Sequence, residues 1–331
     1  MNTHKASNAK ELQEKLAIAK GRDTIVVEGF FGAVALADVR VPGGVTIAAA
    51  SQGAHFERIE IQNCANLTLS GLSCWPLSPV PKTKAKKYLI SADESSSQIE
   101  VTGSLFRGRK DSDNHVSWNK ADWNAAKIGA VFLRGPRGVI RNNSAIGVNF
   151  GYNVTGPSSE IFENSIFGFS GDALRVSADN CVVMGNRVTD AVQIDQNHAD
   201  AFQAFKTSGL LNGLVVKDNV ILEWTVRADN PLRAKLQGIS LHNGPYAHVV
   251  IRDNSVSCTS PNGIRVNGST DVEVTGNRVR HADGLRGTRI PGIRLTNCSG
   301  NILVQNNEAE KFGIPTGIQS RNILPDYSVA Y

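Results

Sequence analysis

Between residues 195 and 206 the chain places Asp195, His198, Asp200, Gln203 and Lys206 in one short segment, a dense set of reactive groups in a sequence that is 41% hydrophobic. Histidine titrates near neutrality and serves as a general acid or base, so His198 is the first candidate for proton transfer. Asp200 has a counterpart in Asp172, and each aspartate is followed three positions later by a polar residue, Arg175 or Gln203. Two carboxylates brought close repel, and such a pair persists where one holds a proton, a cation bridges them or a base lies between. A pair of this kind supplies the acid and the nucleophile or base of glycoside hydrolysis. Arg175 or Lys206 beside it would instead neutralise a uronate carboxylate, which β-elimination by a lyase requires.

Whether Asp172 and Asp200 meet depends on the elements that carry them. Seven asparagines, Asn143, Asn164, Asn186, Asn219, Asn254, Asn277 and Asn307, follow mostly apolar residues at positions −5 and −3 and precede another at +2. The period of two reads as a short half-buried strand. Their spacings of 21, 22, 33, 35, 23 and 30 residues imply a coil of about 22 residues, with inserts in the longer ones. A period near this length fits either a leucine-rich repeat or a β-solenoid. Val, Ile and Gly dominate here and no helical pattern recurs, so the solenoid is expected. Asparagine tolerates a left-handed turn and hydrogen-bonds its own kind when stacked, which suits a corner.

A second strand closes each coil and starts at Asp172, Asp200, Gln237, Asn262, Pro291 or Thr316. Alignment predicts an inward stack of Leu174, Phe202, Ile239, Ile264, Ile293 and Ile318. An outward one follows in Arg175, Gln203, Ser240, Arg265, Arg294 and Gln319, with His242 two residues beyond Ser240. Asp172 and Asp200 then lie on adjacent coils, outward-facing and about 5 Å apart.

With this repeat the chain resembles the right-handed parallel β-helix proteins of the pectin-lyase-like superfamily, which include polysaccharide lyases, glycoside hydrolases and phage tailspikes. Residues 7 to 29 are similar to that superfamily's N-terminal cap, an amphipathic helix leading into the first strand; a cap covers the apolar end that stacked strands would otherwise expose. The fold class implied is all-β, a single right-handed parallel β-helix with an N-terminal capping helix. Residues 1–24 are read as the cap, 25–322 as the β-helix and 323–331 as a C-terminal tail. The resemblance covers roughly residues 8 to 322 and is specific for fold rather than for one reaction. It also implies that a hard cation such as Ca²⁺ is possible, with Asp172, Asp195 and Asp200 as its oxygen ligands; no cofactor is required by the sequence.

Extending the register upstream puts Leu72 and Ser104 in the asparagine column and places inserts near 75–88, 107–128, 189–199, 223–236 and 280–290. These segments leave successive coils at one corner and are expected to wall a groove. They hold all four tryptophans, Trp75, Trp118, Trp123 and Trp224, and carry fifteen Lys or Arg against eight Asp or Glu. Exposed aromatics on loops are what sugar rings stack on, and a cleft of one sign favours an anionic partner. Trp118, Trp123, Trp224, Arg227 and Arg233, with Gln203 and His242, are therefore the expected substrate-binding residues.

The opening residues have no apolar core of a secretory signal, and no run approaches 18 apolar residues, so neither a signal peptide nor a membrane span is expected. That fits cytoplasmic synthesis followed by assembly into a virion or export by a non-Sec route. The five cysteines form no CxxC pair and are odd in number, which favours buried free thiols over a disulfide framework. A net charge of +5 leaves nucleic acid open, yet no recognised binding module is present. A homotrimer is possible on the tailspike side of the resemblance. The leading expectation is a polysaccharide lyase or glycoside hydrolase on an anionic glycan, with Asp172, Asp200, His198, Arg175 and Lys206 catalytic. The alternatives are a non-catalytic glycan-binding or phage-tail-type protein, and a uronate epimerase.

Overall fold

The computed structural model describes residues 1–79, 88–206, 209–225, 230–284, 289–315 and 319–327. The chain is a right-handed parallel β-helix with an N-terminal helix, and it divides into two compact units, Met1–Ser165 and Ile166–Tyr331.

In the first unit the helix Ala9–Ile18 is capped by Asn8, whose side chain accepts the Glu11 N–H at 3.0 Å, and it buries Leu12 and Leu16. Capping removes one of the orphan donors of a helix start, and the two leucines, four apart, lie on one face. The strands that follow pair in parallel. Ile25, Ile47, Leu69, Val101, Ile140 and Ile161 stand in register on successive strands and are buried.

The second unit repeats the plan. Val183, Val216, Ile251, Val274 and Val304 form one buried column. Leu174, Phe202, Ile239, Ile264 and Ile293 form another, as expected. Ile318 lies outside the described residues. Alternation with a period of two sends these side chains inward on every rung, so the apolar effect acts along the whole column.

The asparagines form a buried ladder. In the second unit Asn186 Nδ2 donates to Asn219 Oδ1 at 2.9 Å, Asn219 to Asn254 at 2.9 Å, Asn254 to Asn277 at 2.9 Å, and Asn277 to Asn307 at 3.0 Å. Asn307 hands on to Asn322 at 3.1 Å, a member that the repeat pattern did not reveal. Each Oδ1 also accepts the backbone N–H of the preceding asparagine, as Asn254 does from Asn219 at 3.1 Å. In the first unit Asn143 donates to Asn164, and Ser104 occupies the same column by donating its N–H to Asn143 Oδ1 at 2.9 Å.

One expectation about the corner is corrected. The left-handed residue is the one before the ladder asparagine: Asn142, Glu163, Asp218, Asp253 and Asn306 have φ between 54° and 57°. Gly103, Gly185 and Gly276 do the same at equivalent corners. The turn needs one positive φ, and placing it there frees the next side chain to point inward. Asn254→Ala would leave the Asn219 N–H and amide without their acceptor and remove the donor that satisfies Val216 and Arg252 carbonyls. At about 1–3 kcal/mol for each buried group left unpaired, the expected loss exceeds about 3 kcal/mol in urea unfolding; a loss below about 1 kcal/mol would show that the ladder is energetically idle.

Candidate functional site

The second unit gathers a polar cluster at the start of three neighbouring strands, Asp200–Ala204, Gln237–Leu241 and Asn262–Asn267. The register sets Asp200 beside Gln237, and Arg175, Gln203, Ser240, Arg265 and Arg294 in one column. Asp172 lies just before the strand Leu174–Val176, and its Oδ1 accepts the Asp200 N–H at 3.3 Å. Aligned second strands therefore do bring the two aspartates together.

Their environment differs from the expectation of an outward carboxylate pair. Asp200 is fully buried and Asp172 is only 6% exposed. Arg175 Nε lies 3.3 Å from Asp172 Oδ2, and its guanidinium sits over the Phe205 ring at 4.7 Å. Asp200 Oδ2 accepts from Gln203 Nε2 at 3.0 Å, while Oδ1 is buried with no hydrogen-bond partner. Burial, and then the charge of Asp172, push the Asp200 carboxyl up to about 8, against the pull of Ser240, Arg175 and Gln203. At neutral pH Asp200 is thus mainly a neutral acid. The extra polarity of the strand entrance hides this carboxyl beneath its neighbours, which sequence alignment alone does not reveal.

What reaches solvent is His198. Its side chain is 59% exposed, and its Nδ1 lies 3.5 Å from Asp200 Oδ2. Gln237 Nε2 donates to the same nitrogen at 2.8 Å. The other arm of that amide, Oε1, accepts from Asn262 Nδ2 at 2.9 Å and His242 Nε2 at 3.3 Å, with Ser240 Oγ at 3.5 Å. Burial, then Arg265 and His198, hold the His242 imidazole below its usual range, so it is neutral at neutral pH. Tyr246 closes the base of the cluster, its hydroxyl donating to the carbonyls of Ala204, at 2.8 Å, and His242. Asp172, Arg175, His198, Asp200, Gln203 and His242 come together as expected. Gln237 and Asn262 were missed as site residues, although they occupy the repeat position of Asp172 and Asp200, which was the signal available.

Other expected members lie elsewhere. Lys206 binds Asp179 at 3.0 Å and the Leu210 carbonyl, and so anchors its own loop. Arg233 is held by buried Glu223 at 2.7 Å and by Asp283 at 2.8 Å; Glu223 also accepts from Leu236 and Thr259. That guanidinium fastens the segment to the coil beneath and is committed before any ligand arrives. Asp195 is exposed and accepts the Asn197 N–H at 2.9 Å. Arg227 lies outside the described residues, as do Lys82, Lys84, Lys86 and Lys87.

The residues do not fit a Ca²⁺ site. Asp172 is engaged by a guanidinium and a backbone N–H, Asp200 favours its protonated form, and Asp195 accepts the Asn197 N–H. Among the described residues no group of three or more His, Cys, Asp or Glu side chains is placed to hold a metal ion.

The tryptophans are corrected as well. In the first unit Trp118 is 6% and Trp123 1% exposed, packed edge to face at 5.0 Å beneath Arg109. Trp75 stacks on His55 at 4.0 Å, and Arg107 lies over the ring at 5.8 Å. In the second unit Trp224 is half-buried and its Nε1 donates to the Ala191 carbonyl at 2.6 Å. Long inserts need an apolar anchor, and the indoles supply it. Trp123→Ala should therefore cost about 3–5 kcal/mol in chemical unfolding, whereas loss of glycan binding at unchanged stability would restore the recognition role. All five cysteines are free and Cys64, Cys74, Cys181 and Cys258 are buried. Among the described residues no helix is long and apolar enough to cross a membrane.

No protein-family model matches the sequence, and no curated protein matches it. Solved structures do. The tailspike protein of Dettilon superposes with a TM-score of 0.55 at 12% identity, over 96% of this chain and 64% of that one. The mannuronan C-5 epimerase AlgE6 A-module of Azotobacter vinelandii gives 0.55 at 10% identity, over 96% and 94%. DFA-IIIase from Arthrobacter chlorophenolicus A6, without its lid, gives 0.51 at 12% identity, over 88% and 83%. At these identities the likeness is one of fold, and it places the chain among right-handed parallel β-helix proteins. The chain spans 64% of the tailspike's length.

Proposed function

We propose that this protein is a polysaccharide-cleaving enzyme that acts on an acidic glycan by β-elimination, with His198 and His242 as the groups that move protons. The observation that carries the reading is an exposed imidazole, His198, joined through one amide to a second, His242, that is neutral at neutral pH. Two-carboxylate hydrolysis fits less well. It needs two carboxyl groups flanking the scissile bond, and here Asp200 is buried while Asp172 is tied to Arg175.

Elimination needs a base for the proton beside a uronate carboxyl, an acid for the departing oxygen, and positive charge for the carboxylate. The C–H bond breaks, its electron pair forms the new double bond, and the C–O bond opens as its oxygen takes a proton. Arg265 and Arg294 follow Ser240 in the outward column and have no carboxylate partner among the described residues. That supports an anionic substrate lying along the strands. The similar epimerase is named for chemistry at C-5 of mannuronan, and epimerisation shares the first step, removal of that proton.

The test is to incubate the protein with a panel of acidic and neutral polysaccharides while following unsaturated-uronate absorbance and reducing ends together. Both signals rising supports a lyase, and reducing ends alone would replace it with a hydrolase. Inverted C-5 configuration without cleavage would identify an epimerase. Binding without any chemical change would mean a non-catalytic glycan-binding or phage-tail-type protein and would sink the enzymatic reading.

A further inference from the structure

We infer that Gln237 is a positioning residue that divides the labour of the two histidines, so that the neutral His198 ring presents an N–H and the neutral His242 ring presents a lone pair, the form that accepts a proton. The inference rests on the reading above and deepens it. An amide has a donor on one arm and an acceptor on the other, so the two imidazoles it bridges cannot present it with the same kind of nitrogen. Asn262 Nδ2 donates to Oε1 at 2.9 Å, which fixes the carbonyl arm on that side and turns the NH₂ toward His198 Nδ1.

Two consequences follow for neutral rings. His198 accepts at Nδ1, so its proton is on Nε2, on a ring that is 59% exposed. His242 donates from Nε2 to Oε1, so its free lone pair is on Nδ1. One ring thus presents an N–H and the other a lone pair that can take up a proton. The charged and titratable groups around the pair agree with this division. Asp200 lies 3.5 Å from His198 Nδ1 and favours its neutral form, so it does not force a proton onto that nitrogen. Arg265 on the next strand disfavours a cationic His242. Asp172, just before the preceding strand, and Arg175, on it, lie 3.3 Å apart. Gln237 acts through the two rings it contacts.

The test uses the whole chain labelled with ¹⁵N-histidine and long-range ¹H–¹⁵N spectra taken where both rings are neutral, comparing wild type with Gln237→Glu and Gln237→Leu. Glutamate has the same shape but accepts on both arms. The expected result is that the His198 proton moves from Nε2 to Nδ1 in Gln237→Glu while His242 keeps its Nε2 proton. Gln237→Leu, which offers neither group, should leave His198 as a mixture of the two tautomers. A His198 ring whose ¹⁵N shifts are the same in all three proteins overturns the inference. This readout needs no substrate, so it fails or succeeds separately from the cleavage assay. On a glycan that the wild type cleaves, Gln237→Glu should lower kcat by about 10²-fold with KM unchanged, and a change confined to KM would count against a role in proton transfer.

Discussion

Replacing His198 by alanine is expected to lower glycan cleavage by about 10²–10⁴-fold, the usual worth of a positioned acid or base, while leaving the unfolding free energy within about 0.5 kcal/mol of wild type. The reasoning is geometric. His198 is the exposed member of the cluster and its polar contacts are Gln237 and Asp200, so its removal takes away a reacting group without opening the core. Cleavage at the wild-type rate with the alanine variant would remove His198 from the chemistry and leave His242 without a proton-donating partner.

Asp200→Asn should change how stability depends on pH. Burial, and then the neighbouring charge of Asp172, raise the folded-state carboxyl from its ordinary 3.8 to about 8. A raised acid binds its proton more tightly in the folded than in the unfolded chain, so its contribution is fully present below about 3.8 and is lost as the pH rises to about 8. Each pH unit of that gap corresponds to about 1.4 kcal/mol, which makes the whole effect on the order of a few kcal/mol. Asparagine copies the shape of the neutral acid and cannot ionise. Urea unfolding across this window should find wild type losing ground to the variant as the pH rises. Parallel curves for the two proteins would mean that Asp200 is ionised throughout and that its buried setting has been misjudged.

The fold was legible because its determinants are periodic. Alternating apolar residues before most of the asparagines announce inward columns, and the short intervals from Asn143 to Asn164, Asn164 to Asn186 and Asn254 to Asn277 set the coil length. Asn322 escaped because its strand neighbourhood is short and lacks the apolar pair upstream. The site was legible in part: register alone predicts that Asp172 meets Asp200 and that Gln203 and His242 are near. Depth was not. Whether an entrance residue faces solvent depends on how the inserts fold over it, and nothing periodic governs that. The same limit explains Trp118 and Trp123, whose insert coils back so that the rings pack against each other. It also explains Arg233, read as a ligand for substrate and found clamped by Glu223 and Asp283.

In the second unit, the link from the strand Val220–Leu222 to Gln237–Leu241 runs through residues 223–236, while the equivalent link from Ser255–Cys258 to Asn262–Asn267 is only residues 259–261. Register is the same on both sides, Leu222 with Ser257 and Ile239 with Ile264. Chain length at this corner is therefore decoupled from the pairing that holds the coils, and closing a loop twice as long adds only about 0.6 kcal/mol. Such a corner is a natural graft point: foreign peptides could be transplanted there to retarget the scaffold, whereas a single residue added within a strand would turn its apolar side chains out to water.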